Sequence, residues 1–260
     1  MAQDVTLQIT PLPAYNDNYI WLVTTAQQNT AYVVDPGDAN VVIAALAKRE
    51  LTLKAILLTH HHWDHTDGVA QLRAAFPECE VYGPADGKFQ NISIGLCDGD
   101  YIQLFDVPVA VMATPGHTLD HLCYIGDGFA FTGDTLFHGG CGRLFEGSAE
   151  QMWHSLQRLN TLPSDTHIYC THEYTLANLA FASAVEPHNQ TLQAEIERVK
   201  QLRAHHQVSL PTTLAMQRLV NPFLRAEESA ILALCPAQYL GKDNAPWQRF
   251  AALRRWKDNF

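Results

Sequence analysis

The stretch Thr59-His60-His61-His62-Trp63-Asp64-His65 determines how the rest of this chain is interpreted. Even with 13 histidines among 260 residues, the pattern H-x-H-x-D-H would arise by chance on the order of 10⁻³ times in a chain of this composition. Imidazole and carboxylate side chains at such short spacing are typical metal ligands. The stretch therefore predicts a metal site.

The spacing also predicts that more than one ion is bound. His60 and His62 can direct their imidazoles to the same side of an extended loop, while Asp64 and His65 continue to another corner of the site. A single ion rarely takes four ligands from six consecutive residues, and two ions that share the loop relieve that strain. Further ligands are therefore expected elsewhere in the chain.

Composition and charge favour a globular enzyme and exclude several other classes of protein. The chain is 47% hydrophobic and 17% charged, which is ordinary for a protein that buries a full core. The net charge of -10 argues against binding to nucleic acid. The six cysteines form no C-x-x-C pair, and neither a signal peptide nor an apolar run of membrane-spanning length is found. We expect a cytoplasmic monomer with no membrane partner.

The order of the predicted elements favours an α/β fold. Runs of β-branched and aromatic residues predict the strands of a meander, with Pro11 and Pro13 in the turn after the first strand. These runs are residues 5–10, 19–25 and 31–35. A helix follows over residues 42–48, and the short apolar run 54–58 delivers the histidine stretch at a strand end, where α/β proteins place their chemistry.

The pattern changes from short strands to helices after Tyr174. Apolar side chains recur at helical spacing in residues 176–185 and 192–202, and again near the C-terminus. We therefore predict two domains, a catalytic domain of residues 1–173 and a helical domain of residues 174–260.

Three further strand ends carry a histidine or an aspartate. His117 lies in Thr114-Pro115-Gly116-His117-Thr118, Asp134 lies in Thr132-Gly133-Asp134-Thr135, and His172 follows the last predicted strand. Together with the histidine stretch they give seven predicted ligands of two ions. These are His60, His62 and His117 for one ion, Asp64, His65 and His172 for the other, and Asp134 as the bridge.

The predicted chemistry is hydrolysis by a hydroxide that bridges two metal ions, with Asp64 and Asp134 as the catalytic carboxylates. Even one zinc ion lowers the pKa of bound water to about 7. The ligands include no thiolate, so they do not distinguish zinc from iron(II) or manganese(II). We expect zinc as the bound metal, with the other two as alternatives. His61 is left as a structural residue. A metal-storage module is the non-enzyme alternative, but ligands at four strand ends argue against it.

These motifs resemble those of the metallo-β-lactamase superfamily. The resemblance rests on T-H-H-H-W-D-H, T-P-G-H-T and T-G-D-T, and it implies an αββα sandwich with the metals at one edge. Within the superfamily, the chain looks like the glyoxalase II (hydroxyacylglutathione hydrolase) family along nearly its whole length. That likeness rests on Asp17-Asn18-Tyr19-Ile20-Trp21, Gly140-Cys141-Gly142-Arg143 and Arg254-Arg255-Trp256-Lys257-Asp258.

The resemblance implies that the C-terminal helical domain holds glutathione. By matching position, Arg143, Tyr174, Arg254 and Lys257 would contact an S-acylglutathione substrate such as S-D-lactoylglutathione, in the second step of methylglyoxal detoxification. From residues alone, the basic C-terminus is equally a solvated helix end whose cations complement the helix dipole.

Four residues depart from the family pattern. Arg143 stands where some members have Lys, which keeps the charge but changes the donor geometry. Phe145 stands where many members have Tyr, which would remove one hydrogen bond to glutathione, and Asp67 and Asp120 stand where Gly is common. Those two loops are expected to need backbone angles that Asp tolerates less easily. A glutathione persulfide dioxygenase and a lactonase share the metal motifs and stay open as alternatives, with the long helical tail as the discriminating feature.

Overall fold

A computed structural model describes residues 6–241 and 245–260, apart from the side chain of Ser229. These residues form two compact units. The first contains the described residues up to Ala113 together with Asp120–Gly133, and the second contains Thr114–Leu119 together with the described residues from Asp134 to Phe260. The predicted domain boundary between residues 173 and 174 stays a prediction, because compact packing units need not coincide with domains. Val5, at the start of the predicted first strand, lies outside the described residues.

The first sheet of unit 1 has the strand order β1-β2-β3-β4-β5-β6. Its strands are β1 (Gln8–Ala14), β2 (Asn18–Thr24), β3 (Thr30–Val34), β4 (Thr52–Leu57), β5 (Glu80–Pro84) and β6 (Ile94–Leu96). The first three strands are antiparallel, and β3 to β6 are parallel. Three helices accompany this sheet: α1 (Ala39–Lys48), α2 (Trp63–Thr66) and α3 (Val69–Ala75).

The expectation that Pro11 and Pro13 form a turn is wrong, because both lie within β1. They pair with Trp21 and Tyr19 of β2. β1 is at the edge of the sheet, and the two prolines are two residues apart, so both missing N–H groups fall on the same side of the strand. An edge strand tolerates this loss on its outer side.

The second sheet of unit 1 is antiparallel. It contains β7 (Tyr101–Leu104), β8 (Val107–Ala113), β9 (Leu122–Gly126) and β10 (Phe129–Gly133), each paired with the next. Contacts join the two sheets of this unit: the Tyr124 hydroxyl donates to the Leu58 carbonyl oxygen at 2.7 Å, and the rings of Tyr32 and Phe105 meet edge to face at 5.0 Å. The second sheet therefore packs beside the strand end that carries the histidine stretch.

Helices α1 and α3 cover the first sheet of unit 1. Val42 and Leu46 of α1 and Val69 and Leu72 of α3 pack with Ile56 of β4 in one buried cluster. Asp38 caps α1 by accepting a hydrogen bond from the Asn40 backbone amide. Burial of this apolar face fixes β4, and with it the start of the predicted metal-binding loop.

Unit 2 is mainly helical. Its elements in chain order are β11 (Leu136–Phe137), β12 (Gly140–Cys141), α4 (Ala149–Asn160), β13 (His167–Cys170), α5 (Thr175–Val185), α6 (Gln190–Ala204), β14 (Thr212–Thr213), α7 (Leu214–Val220), three 3-10 helices at Pro222–Arg225, Ser229–Leu232 and Ala237–Tyr239, and α8 (Pro246–Asp258). β11 pairs with β12, and β13 pairs with β14, both antiparallel. The α/β class is confirmed.

The helices of unit 2 begin at recognisable sequence signals. Ser148 and Gln151 form a capping box at the start of α4. Helices α5, α6 and α7 pack through a buried cluster that includes Leu179, Leu192 and Val220. Across the described ranges, each helix is too short or too polar to span a membrane.

Candidate metal centre and substrate cleft

The histidine loop of unit 1 follows β4 and folds into the single turn of α2. His62 is the residue that precedes this turn, and Asp64 and His65 lie within it. His60 Nε2 and His62 Nδ1 face each other at 2.9 Å, and the rings of His60 and His65 lie 4.1 Å apart. The loop therefore collects imidazole nitrogens in one place, as the sequence predicts.

Asp35 holds the third of these imidazoles in position. Its Oδ2 lies 3.0 Å from His65 Nδ1 and accepts a hydrogen bond from the Thr59 hydroxyl at 2.7 Å, while Oδ1 accepts from the Thr59 amide at 2.8 Å. Asp35 is buried and has a φ of 52°, which is unusual for an aspartate. Because Nδ1 faces Asp35, Nε2 is the nitrogen of His65 that is left to bind a metal ion. This Nε2 lies 3.6 Å from Oδ2 of Asp64, another predicted metal ligand.

Other partners orient the remaining groups of the loop. The Thr59 hydroxyl lies 3.0 Å from His60 Nδ1, and Asn18 Nδ2 donates to Asp64 Oδ2 at 3.0 Å. His61 turns elsewhere, and its Nδ1 lies 2.9 and 3.0 Å from the two oxygens of Asp120. This contact agrees with the expectation that His61 has a structural role.

The departures at Asp67 and Asp120 do not strain their loops, so that expectation is wrong. Asp67 has φ -59° and ψ -29°, which are ordinary right-handed values, and Asp120 is not among the residues with positive φ. At Asp120, the carboxylate contacts His61 instead. The position near the histidine loop that requires glycine is Gly37, because a Cβ at this position would lie 2.0 Å from the Asp64 carbonyl oxygen.

Unit 2 carries the other three predicted ligands close together. His117 Nε2 lies 3.4 Å from Asp134 Oδ2, and His172 Nε2 lies 3.3 Å from Asp134 Oδ1. Asp134 thus presents one oxygen to each imidazole, as a bridging carboxylate would. All three residues are buried.

The loop around His117 is fixed from both sides. Nδ1 of His117 lies 2.9 Å from the Arg143 carbonyl oxygen, the geometry of a donated hydrogen bond that leaves Nε2 for a ligand. The backbone of Phe145 donates to the His117 carbonyl oxygen at 3.1 Å. Next to Arg143, Gly142 lies so close to Asp134 that a Cβ at this position would be 2.0 Å from the Asp134 carbonyl oxygen.

The donor atoms around Asp134 in unit 2 fit a divalent cation. Two ligands of a tetrahedral ion with bonds of about 2.1 Å lie about 3.4 Å apart, close to the separations of Asp134 from His117 and His172. The donors are imidazoles and carboxylates, which suit zinc, iron(II) and manganese(II) alike. The division of the seven residues between two ions stays a prediction.

A cleft of about 410 Å³ in unit 2 begins at two of these ligands. Its lining combines the ligands, cationic side chains, aromatic rings and part of α5: His117, Asp134, Phe137, Cys141, Arg143, Phe145, Tyr174, Ala177, Asn178, Arg254 and Lys257. All four predicted substrate-binding residues are in this set. Their assignment to a substrate stays a prediction, but the structure places them along the walls of one cleft.

Arg254 and Lys257 of α8 are part of the cleft wall and not a solvated helix end. Arg254 is only 4% exposed, and it donates to the Cys141 carbonyl oxygen at 2.9 Å and lies 2.9 Å from Asp258. Lys257 donates to the Ala177 carbonyl oxygen at 3.0 Å. Burial, reinforced by the nearby Arg254 charge, lowers the pKa of Lys257 to about 8.

Aromatic rings form the rest of the cleft. The ring of Tyr174 stacks on His172 at 4.7 Å with an interplanar angle of 2°, and Phe137 meets Tyr174 edge to face. Phe145 lies edge to face with His117 at 5.2 Å. Arg143 is on the surface, with its side chain 64% exposed and Nε 3.7 Å from Asp258.

Sequence reasoning missed Asp35, Cys141 and Asn178. Asp35 follows β3 directly, so it has the same position at a strand end as the predicted ligands, and this signal could have identified it. Cys141 and Asn178 line the cleft. Cys141 lies in the Gly140-Cys141-Gly142-Arg143 motif, but the motif assigned a role only to Arg143, and no local pattern distinguishes Asn178 from a core residue.

The sequence matches two known families. Residues 173–260 match the hydroxyacylglutathione hydrolase C-terminus, and residues 16–112 and 94–172 match the metallo-β-lactamase superfamily. The chain is 51% identical over 256 residues to the hydroxyacylglutathione hydrolase of Pseudoalteromonas translucida (strain TAC 125), covering 98% of this chain and 100% of that protein. It is 49% identical over 254 residues to the hydroxyacylglutathione hydrolase of Vibrio cholerae serotype O1, with the same coverage.

Solved structures share the fold. ETHE1 from Myxococcus xanthus superposes with a TM-score of 0.65 at 26% identity, covering 86% of each chain. The protein TTHA1623, solved in a di-iron-bound form, superposes with a TM-score of 0.58 at 25% identity, covering 83% of this chain and 99% of that one.

Fold and sequence together define the class as a metal-dependent hydrolase of the metallo-β-lactamase superfamily. Identity over almost the whole length then specifies the family. The chain belongs to the hydroxyacylglutathione hydrolases. The predicted family is confirmed, and so is the predicted α/β metallo-β-lactamase fold with a C-terminal helical region.

Proposed function

We propose that this chain hydrolyses the thioester of an S-(2-hydroxyacyl)glutathione, with S-D-lactoylglutathione as substrate and D-lactate and glutathione as products. This reaction is the second step of methylglyoxal detoxification. The observation that carries the proposal is the cleft of unit 2. Its wall contains two of the seven predicted metal ligands, His117 and Asp134, together with the cationic residues Arg254 and Lys257. The proposal is supported by identity of about half to hydroxyacylglutathione hydrolases along the chain.

The metal ligands in this proposal are the seven residues predicted from the sequence. They are His60, His62, Asp64, His65, His117, Asp134 and His172. Two divalent ions, zinc first, would supply a water of lowered pKa as nucleophile and polarise the thioester carbonyl. Asp35 and the Arg143 carbonyl oxygen support the proposal, because each fixes the nitrogen of His65 or His117 that faces away from the metal.

The cationic residues of the cleft bind the carboxylates of glutathione. Lys257 and Arg143 present charge directly, and Arg254 presents its charge from a position fixed by its contacts with the Cys141 carbonyl oxygen and Asp258. Arg143 is the most exposed of the three, so it meets the substrate at the cleft entrance. An acidic protein thus attracts an anionic peptide through a local positive surface.

Tyr174 and Asp134 act on the reacting end. The Tyr174 ring, stacked on His172, keeps that imidazole from rotating and provides a flat wall for the substrate. Asp134 holds its two oxygens toward two different imidazoles. The leaving thiolate needs no strong general acid, because a thiol has a pKa of about 8.5.

A persulfide dioxygenase or a lactonase is not favoured. Neither alternative assigns a substrate-binding role to the cationic residues of α8. Residues 173–260 also match the hydroxyacylglutathione hydrolase C-terminus. We also propose a cytoplasmic monomer. None of the six cysteines, all within the described residues, forms a disulfide, as expected in a reducing compartment.

The test is hydrolysis of S-D-lactoylglutathione by purified, metal-loaded protein, followed as loss of thioester absorbance. We expect turnover by the wild type and a kcat reduced by roughly 100-fold in Asp134→Asn, together with metal stoichiometry below two per chain. Lack of turnover by wild-type protein that holds two ions would contradict the proposed substrate. An Asp134→Asn protein with full turnover and full metal content would contradict the bridging role.

A further inference from the structure

His138 and Glu195 form a buried pair of ionisable residues that the proposed reaction does not use. His138 is 1% exposed and Glu195 is 3% exposed. His138 Nε2 lies 3.1 Å from Glu195 Oε1. His138 directly follows β11, and Glu195 is in α6, so the pair joins two elements of unit 2 that are far apart in the sequence.

Glu195 is fixed in its ionised form. Arg198 of the same helix donates to both of its oxygens, at 2.8 and 2.6 Å. Burial raises the pKa of Glu195, but the hydrogen bonds from Arg198 and His138 outweigh burial and bring the pKa to about 2. A fully paired buried carboxylate holds its partners in one geometry, because any other arrangement would leave a charge without compensation.

Buried polar side chains hold the turn that contains His138. Asn178 Nδ2 donates to the His138 carbonyl oxygen at 3.2 Å, and the Gly139 amide donates to Gln217 Oε1 at 3.2 Å. Asn221 Nδ2 donates to the Gly140 carbonyl oxygen at 2.9 Å. Helices α5, α6 and α7 therefore each contribute a side chain to this turn, and α6 contributes the charged one.

The same turn leads directly into the wall of the cleft. Cys141, three residues after His138, lines the cleft, and its carbonyl oxygen accepts the hydrogen bond from Arg254. Asn178, which bonds the His138 carbonyl oxygen, also lines the cleft. A shift of the turn would therefore move Arg254 and Asn178 together.

We propose that His138 and Glu195 are positioning residues for the glutathione end of the cleft, fixing the β11–β12 turn so that Cys141 can hold Arg254. The inference rests on the proposed function, because it concerns the binding of that substrate. Because neither residue is a predicted metal ligand and neither lines the cleft, loss of the pair should weaken substrate binding and spare the chemical step.

The experiment compares Glu195→Ala and His138→Ala with a matched control, Glu186→Ala. Glu186 forms an ion pair with Arg225 in the same unit, and neither residue lines the cleft. We expect KM for S-D-lactoylglutathione to rise about tenfold in the first two variants, the effect of losing one hydrogen bond to a charged group. Their kcat should stay within about twofold of the wild type, and the control should keep the wild-type KM.

Two further measurements separate positioning from loss of folding and from failure of the proposed function. Circular dichroism at the assay temperature shows whether each variant is folded, and Glu195→Gln, which keeps an acceptor for His138, should restore most of the KM. The dissociation constant of S-methylglutathione, measured calorimetrically, should rise in parallel with KM. Equal KM values in folded Glu195→Ala and the control would overturn the inference, whereas absence of both turnover and binding in the wild type would instead overturn the proposed function.

Discussion

His65 Nδ1 lies 3.0 Å from Asp35 Oδ2, and both side chains are buried in unit 1. Asp35 therefore selects which nitrogen of His65 is available to a metal ion. Outer groups of this kind typically change metal affinity by 10-fold to 100-fold. We predict that Asp35→Asn lowers metal affinity by about that factor, measured by competition with a chromogenic chelator. An unchanged affinity in a folded variant would show that His65 is oriented by other contacts.

The pKa of Lys257 predicts how substrate affinity depends on pH. Burial lowers this pKa from 10.5 to about 8, so the ammonium loses its charge as pH rises through about 8. We predict that KM for S-D-lactoylglutathione rises between pH 7 and pH 9. Lys257→Arg should flatten this rise, because a guanidinium stays charged throughout that range. A pH-dependent KM of the same shape in Lys257→Arg would contradict the assignment.

Arg254 and Arg143 are predicted to differ in their effect on stability. Arg254 is buried and bonds Cys141 and Asp258, so Arg254→Ala should lower the free energy of unfolding by about 2 kcal/mol as well as raising KM. Arg143 is mostly exposed, so Arg143→Ala should raise KM while changing stability by no more than about 0.5 kcal/mol. Urea denaturation of both variants gives the comparison, and equal losses of stability would contradict it.

Glu195 predicts a loss of stability in acid. Its pKa is lowered from 4.5 to about 2 in the folded state, so its contribution is complete above pH 4.5 and is lost as pH falls from 4.5 to 2. We predict that the midpoint of thermal unfolding falls more steeply over this range in the wild type than in Glu195→Gln. Parallel curves for the two proteins would exclude this contribution.

Much of the fold could be predicted from the sequence because its signals are local. Apolar spacing predicted α1 and α5. Ser148 and Gln151, which form the capping box of α4, are a local signal of the same kind. The prolines of β1 were misassigned to a turn. That prediction assumes that a strand residue needs its N–H group for a hydrogen bond to a neighbouring strand. Whether a strand lies at the edge of a sheet depends on the order of strands, which local residue patterns do not contain.

The candidate site was predictable where a single segment carries several ligands. The stretch from His60 to His65 is specific in itself, whereas the pair of His138 and Glu195 joins residues far apart in the sequence, each ordinary in its own context. Local sequence patterns therefore do not distinguish His138 from an ordinary core or surface residue. The position of Arg254 in the cleft wall likewise depends on the Cys141 carbonyl oxygen, which no side-chain pattern indicates.

The two prolines of β1 also affect how this protein behaves at high concentration. An exposed strand edge is a template on which another chain can add a strand, and such pairing is a common start of aggregation. Pro11 and Pro13 remove two hydrogen-bond donors from one side of the edge strand. A second copy of the chain that approached this edge would lack two N–H donors for pairing with β1. The prolines that made β1 hard to recognise in the sequence therefore disfavour the addition of a further strand to the sheet.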